Sequence, residues 1–166
     1  MSKSLEELEQ IVDSLVNNPP MKDHRHTGFD VSQVYFSDVT QKKVWVPWTV
    51  VGTDASAAGN YGTFFISPFT CVLNDFKEVH QVVGSDSGNV AINLEKLTGT
   101  QAPDAGSLML GTALSLKVTA NTVQTATLSA TLANRNLAIG DRLCLKDTGA
   151  LTAVSNVSVL VELVIT

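Results

Sequence analysis

Three histidines and two cysteines are the side chains of this 166-residue sequence with most chemistry to offer. His24 and His26 flank Arg25. In an extended chain, residues two apart point to the same side, so both imidazoles can converge on a transition metal. One chain supplies too few nitrogens for a closed site, whereas three chains around a three-fold axis would supply an octahedral set. The plainer alternative is that both rings hydrogen-bond the chain in place beside Asp23 and Asp30. A lone HxH is a weak signal next to a full four-ligand spacing. No metal or other cofactor is therefore expected, with His24 and His26 the candidate ligands were one to bind. The third histidine, His80, lies in Phe76-Lys77-Glu78-Val79-His80-Gln81-Val82 and reads as an outward strand residue. Nothing in the sequence points to a nucleophile that would make it half of a catalytic dyad.

Other catalytic signatures are missing. Gly84-Ser85-Asp86-Ser87-Gly88 has Asp where a nucleophile elbow needs serine. There is no P-loop and no GxGxxG after a strand, and no pair of acids stands out as a glycosidase couple. Cys71 and Cys144 lie far apart, outside any CxxC pair, each within an apolar alternation. They read as buried free thiols rather than a disulfide or zinc site. The expectation is a protein that is not an enzyme.

The elements that position these residues follow from composition and pattern. Hydrophobic residues are 44% of the chain and charged residues 16%, with a net charge of −5. The hydrophobic share excludes general disorder, and the acidic balance (pI near 5.0) argues against a nucleic-acid partner. No apolar run approaches the ~20 residues that cross a bilayer, so no membrane partner is expected. Met1-Ser2-Lys3-Ser4-Leu5-Glu6-Glu7 lacks the apolar stretch of a secretory signal; the expectation is a protein that stays in the compartment where it is made.

Residues 1–20 read as an anchoring or oligomerisation helix. Ser4 and Glu7 form a capping box, and Leu5, Leu8, Val12 and Leu15, widened by Ile11, recur at heptad spacing. Asn17-Asn18-Pro19-Pro20 ends the helix. A helix this short is marginal alone in water, so its stripe needs a partner, either its own domain or copies from sister chains. Residues 21–60 read as an extended connector. It carries Asp23-His24-Arg25-His26-Thr27-Gly28-Phe29-Asp30, then Val44-Trp45-Val46-Pro47-Trp48, then a small-residue run from Gly52 to Gly59 that reads as a loop or hinge.

Residues 61–166 alternate with period two. Val90, Ile92 and Leu94 alternate with Ala91, Asn93 and Glu95; Leu114, Leu116 and Val118 with Ser115, Lys117 and Thr119. Leu143 and Leu145 lie in a third such run, and Val157, Val159, Val161, Leu163 and Ile165 form one face of a final strand. Turn chemistry separates them at 84–88, 103–106, 140–141 and 147–149. The fold class is mainly β: an antiparallel, jelly-roll-like β-sandwich head preceded by a short N-terminal helix and an extended connector. From Ser107 onward the outward residues are mostly Ser, Thr, Ala and Asn. Such a face suits apposition to other subunits, since burying Thr or Ser costs far less than burying Lys; an ordinary surface chosen for strand propensity reads the same way.

The segment His24-x-His26-x-Gly28-x-Asp30, followed by Phe36-Ser37-Asp38-Val39, resembles the H-x-H-x-G-x-D segments near the N-termini of tailed-phage virion proteins. The stretch from Asn60-Tyr61-Gly62-Thr63-Phe64-Phe65 to Ile139-Gly140-Asp141-Arg142-Leu143 is similar to the β-sandwich heads of such proteins, and Leu137 to Leu143 to a turn of trimeric jelly-roll domains. The resemblance implies a homotrimer in the virion, assembled in the host cytoplasm, that binds the major capsid protein or another virion protein through its N-terminal part. In fibres of that kind repeated HxH pairs hold iron; here there is a single pair, and Val31 stands where the family has Ser or Asn. The chain is short for a shafted fibre, which favours a capsid decoration protein or head fibre. Trp45 and Trp48 then either anchor the interface, as aromatic residues commonly do, or cap the core of their own sandwich. The alternative function is a short tail-fibre tip or glycan-binding module, with recognition on loops 84–88, 101–106 and 147–150. Those loops carry no aromatic residue.

Overall fold

The computed structural model describes residues 42–53 and 62–166. Ten strands and one helical turn are present among them: β1 (Lys43–Thr53), β2 (Thr63–Ile66), β3 (Cys71–Val79), β4 (Ala91–Leu97), β5 (Ser107–Leu108), β6 (Leu114–Ser115), β7 (Gln124–Thr125), α1 (Leu132–Arg135), β8 (Asn136–Leu137), β9 (Arg142–Thr148) and β10 (Ser155–Ile165). One sheet runs β1-β10-β3, with β7 and β8 on the far side of β3; the other runs β2-β9-β4, with β5 and β6 on the far side of β4. All pairings are antiparallel. The sheets form the expected β-sandwich.

The core follows from the alternation. Val157, Val159, Val161 and Leu163 of β10 are buried, and so are Ile92 and Leu94 of β4 and Leu143 and Leu145 of β9. Each such side chain taken out of water contributes about 1.5–3 kcal/mol before entropy is counted. Phe76, Leu73, Met109, Leu116 and Leu151 complete the interior.

The sandwich begins at Lys43 rather than at residue 61. β1, placed in the connector by sequence, pairs with β10 from Lys43↔Val164 to Thr53↔Ser155. Val44-Trp45-Val46-Pro47-Trp48 alternates with period two, but Pro47 masks it as a strand. The Ile165 N–H donates to the Lys42 carbonyl. Ladder bonds alternate along an antiparallel pair, so even-numbered residues of β1 face β10 and Pro47 is at a position whose missing N–H would point away from the sheet. That is where an edge strand accepts proline. Gly52, expected in a hinge, is within β1.

Three further expectations change. The run from Leu114 to Thr119 forms only the two-residue β6; Leu116 is buried, but Val118 is 40% exposed. A helical turn, α1, interrupts the β region. The alternate face of β4, expected outside, is buried at Ala91, Asn93, Glu95 and Leu97. The segment from Thr98 to Gly106 folds back onto that face at Glu95, and the Leu110 N–H beyond it donates to Asn93 Oδ1 at 3.2 Å. Gly106 is needed there, because a Cβ would strike the Lys96 carbonyl.

Candidate interaction surface

The two tryptophans point to opposite faces. Trp48 is on the core side of β1, level with Val159, and its indole stacks on Phe64 of β2 with ring centroids 5.1 Å apart. Trp45 is on the outer face and 47% exposed. Its Nε1–H donates to Glu162 Oε2 at 3.2 Å, and Lys43 Nζ reaches Glu162 Oε1 at 2.8 Å. The Lys43 ammonium, helped by Asn74, holds the Glu162 carboxyl below the usual carboxylate range.

Register lays out the rest of this face. Pro47 is beside Leu160, and Leu160 beside Lys77; Thr49 is beside Ser158, and Ser158 beside Val79. Lys77 is bridged to Asp75 at 3.0 Å. Every charge named on the face is thus paired within it; the ground between is apolar at Pro47, Leu160, Val79 and the neighbouring Val123, and the Thr49 and Ser158 hydroxyls are bonded to each other at 3.0 Å. Val123 and Leu160 flank a shallow depression of about 210 Å³, smaller than a typical small-molecule site of roughly 300–1,000 Å³. The strand edges are poorly suited to pairing: β1 carries Pro47, β2 is four residues long, and β5 to β8 are two residues each. Such edges resist edge-to-edge association, which leaves the face.

The loops named for recognition are held down by the scaffold. Lys117 Nζ donates to the carbonyls of Asp86 and Gly88 at 2.9 and 3.2 Å. Glu95 Oε2 accepts the Asp104 N–H at 2.9 Å and Oε1 the Gly106 N–H at 2.7 Å. Arg142 donates to the carbonyls of Gly99 and Gln101, and Lys146 pairs with Asp104. Asp147 is in β9 and buried, not on a loop tip. A larger groove of about 690 Å³ runs past Thr70, Val72, Lys96, Leu132 and Ala138. Its polar groups are engaged: Lys96 Nζ donates to the Ala133 and Asn136 carbonyls, and Asp141 Oδ2 accepts the Ala138 N–H.

His80 is fully buried, not outward. The cause is a β-bulge. Asp75 pairs with Glu162 but Leu73 pairs with Leu163, so Asn74 is an extra residue. An extra residue inverts the facing of everything after it. Leu73 points inward before the bulge; Phe76, Glu78 and His80 point inward after it. His80 Nδ1 is 2.9 Å from Glu78 Oε1, and Nε2 is 3.3 Å from the Val118 carbonyl. Gln124 Nε2 donates to Glu78 Oε2 at 2.6 Å and to the Ser115 carbonyl at 2.9 Å. Burial pushes the Glu78 carboxyl up from its usual range, against the hydrogen bonds from His80 and Gln124.

Cys71 and Cys144 are free and buried. Burial raises both thiols, Cys144 to about 11. Among the described residues no cluster of three or more His, Cys, Asp or Glu side chains is placed to hold a metal. Leu5, Leu8, Ile11, Val12, Leu15, His24 and His26 lie outside the described residues. Of the two described site residues named from sequence, Trp48 is on the core side and Trp45 on the open face. Leu160, Val79 and Val123 were passed over there, although Leu160 was legible as the apolar residue in an outward position of β10.

No family model matches the chain, and no curated protein matches it in sequence. In fold it is similar to a chain from a solved structure described as the capsid of Ralstonia phage GP4. The TM-score is 0.57 at 15% identity, covering 78% of this chain and 88% of that one.

Proposed function

We propose that this chain is a non-enzymatic structural protein of a bacteriophage virion, a homotrimeric capsid decoration protein or head fibre that binds the shell through its N-terminal region. The observation that supports this most is the shared fold with a chain of a phage capsid over most of both lengths. The open sheet face is consistent with it. An apolar strip with its charges already paired can be covered by protein without stranding a buried ion, which is the costly event at an interface. Trp45 would be the aromatic anchor of that contact.

The mechanism is binding without turnover. A protein that binds only the assembled shell stabilises it by mass action. The stripe of Leu5, Leu8, Ile11, Val12 and Leu15 would supply the anchor, by bundling with sister helices or lying against the major capsid protein. The acidic balance leaves no role for the packaged nucleic acid. A tail-fibre tip or glycan-binding module is the other reading; aromatic-free loops tied down by Glu95 and Lys117 do not favour it.

Mass photometry of the free protein and copy counting on purified virions test the proposal together. A free species at three times 17.7 kDa, with many copies per head, is expected. A monomer absent from heads would overturn it, and a handful of copies at the tail would move the protein to the alternative.

A further inference from the structure

We propose that the buried Glu78–His80 pair is a proton latch: one proton held between His80 Nδ1 and Glu78 Oε1, beside the one on Nε2, keeps the segment from Leu116 to Val123 closed against β3, and its loss at raised pH releases that segment. The argument is hydrogen-bond accounting. Both ring nitrogens face oxygens, a carboxylate at 2.9 Å and a carbonyl at 3.3 Å. A neutral imidazole has one N–H and one lone pair. With Glu78 ionised and His80 neutral, one nitrogen lone pair would confront an oxygen lone pair in a site closed to water. Both contacts are satisfied only when Nε2 carries hydrogen and a second proton bridges Nδ1 and Oε1.

The remaining acceptor oxygen, Oε2, is taken by Gln124, whose second N–H goes to Ser115. The donors at this site are thus already committed, and a lost bridging proton has no replacement among them. The surroundings supply no compensating charge. Val159 of β10, beside Glu78, is apolar. From the covering segment comes Val118, and from the strands flanking it Ser115 and Gln124, all uncharged. Lys77 is outside, bridged to Asp75, and Lys117 is turned to the Asp86 and Gly88 carbonyls. His80 is the charged group that acts on Glu78.

The same bonds hold the segment. Ser115 and Val118 give their carbonyls to it, Gln124 its amide, and the Asn121 N–H donates to the His80 carbonyl at 2.8 Å. The segment carries the exposed Val118 and Val123, and the chain just beyond β3 carries Val82 and Val83, also exposed. When the proton leaves to solvent base, the buried pair becomes a net anion. It must then be hydrated, and the segment bonded to His80 through Val118 and Asn121 is the part proposed to give way.

The sign is consistent with burial. Burial raises the Glu78 carboxyl above its ordinary range, and a carboxyl raised on folding adds stability at lower pH that is lost as pH rises. Each proton so linked changes the opening equilibrium by up to ~tenfold per pH unit. The test uses the full chain carrying His24→Ala and His26→Ala, which leaves His80 as its sole histidine. Imidazole ¹⁵N NMR at pH 7.5 is expected to show hydrogen on Nε2 together with a bridging proton on Nδ1. Amide-exchange protection of Asn121, corrected for intrinsic exchange, is expected to fall at least about tenfold between pH 6 and 9, with that of Val161 unchanged. A neutral single tautomer with a bare nitrogen would overturn the latch, and so would pH-independent protection at Asn121. Glu78→Gln is expected to abolish the pH dependence. Should that variant not fold, the ring spectrum and exchange of the Glu78 protein decide alone.

Discussion

Trp48 and Phe64 stack with ring centroids 5.1 Å apart and planes 15° from parallel, joining β1 of one sheet to β2 of the other. Both are edge strands, so this contact closes the side of the sandwich where no backbone hydrogen bond crosses. It divides the two tryptophans by role, since Trp45 faces out and Trp48 faces in.

That division can be measured. Trp48→Ala is expected to cost about 2–4 kcal/mol by urea denaturation, toward the lower end for a side chain that is only partly buried. A double-mutant cycle with Phe64→Ala should return a coupling of about 0.5–1.5 kcal/mol. Trp45→Ala should change stability by less than about 1 kcal/mol while weakening trimer or shell association at least about tenfold. Equal stability losses at the two positions would contradict the assignment.

Glu95 is expected to be the clamp of the loop from Thr98 to Gly106. Glu95→Ala leaves the Asp104 and Gly106 N–H groups without their acceptor under a covered face, at about 2–4 kcal/mol. Limited proteolysis should then cut between residues 98 and 106, where the parent chain resists.

Neither thiol should be available. The thiolate is the nucleophile, and burial holds Cys71 above its ordinary range and Cys144 near 11. At pH 8 the native protein is expected to leave both cysteines unmodified by iodoacetamide and to alkylate both in denaturant. Rapid native labelling of Cys144 would show the cover over β4 and β9 to be loose.

Removing residues 1–20 is expected to abolish attachment to particles or to dissociate the oligomer, with the β circular dichroism of the sandwich retained. Attachment that survives the truncation would refute the N-terminal anchor. His24→Ala with His26→Ala is expected to leave the fold intact, and elemental analysis of the parent protein should find no stoichiometric iron or zinc.

What the amino-acid sequence determined by itself is whatever depends on neighbours along the chain. Val157, Val159, Val161, Leu163 and Ile165 recur at every second position, so their inward face was legible, as were the buried thiols and the turn at Gly140-Asp141. Tertiary structure decided what depends on neighbours across space. The bulge at Asn74 inverts the facing of Glu78 and His80, and nothing local announces it, because an extra residue is extra only relative to β10. Asn93 and Glu95 read as solvent-facing by period, yet the chain that follows β4 folds back over them, and the Asp104, Gly106 and Leu110 N–H groups donate to their side chains. Val44 to Trp48 read as part of the connector; β10 pairs with it on the one side of Pro47 where the missing donor is not needed. Alternation sorts side chains into two faces; which face meets water is settled only when the rest of the chain has been placed against them.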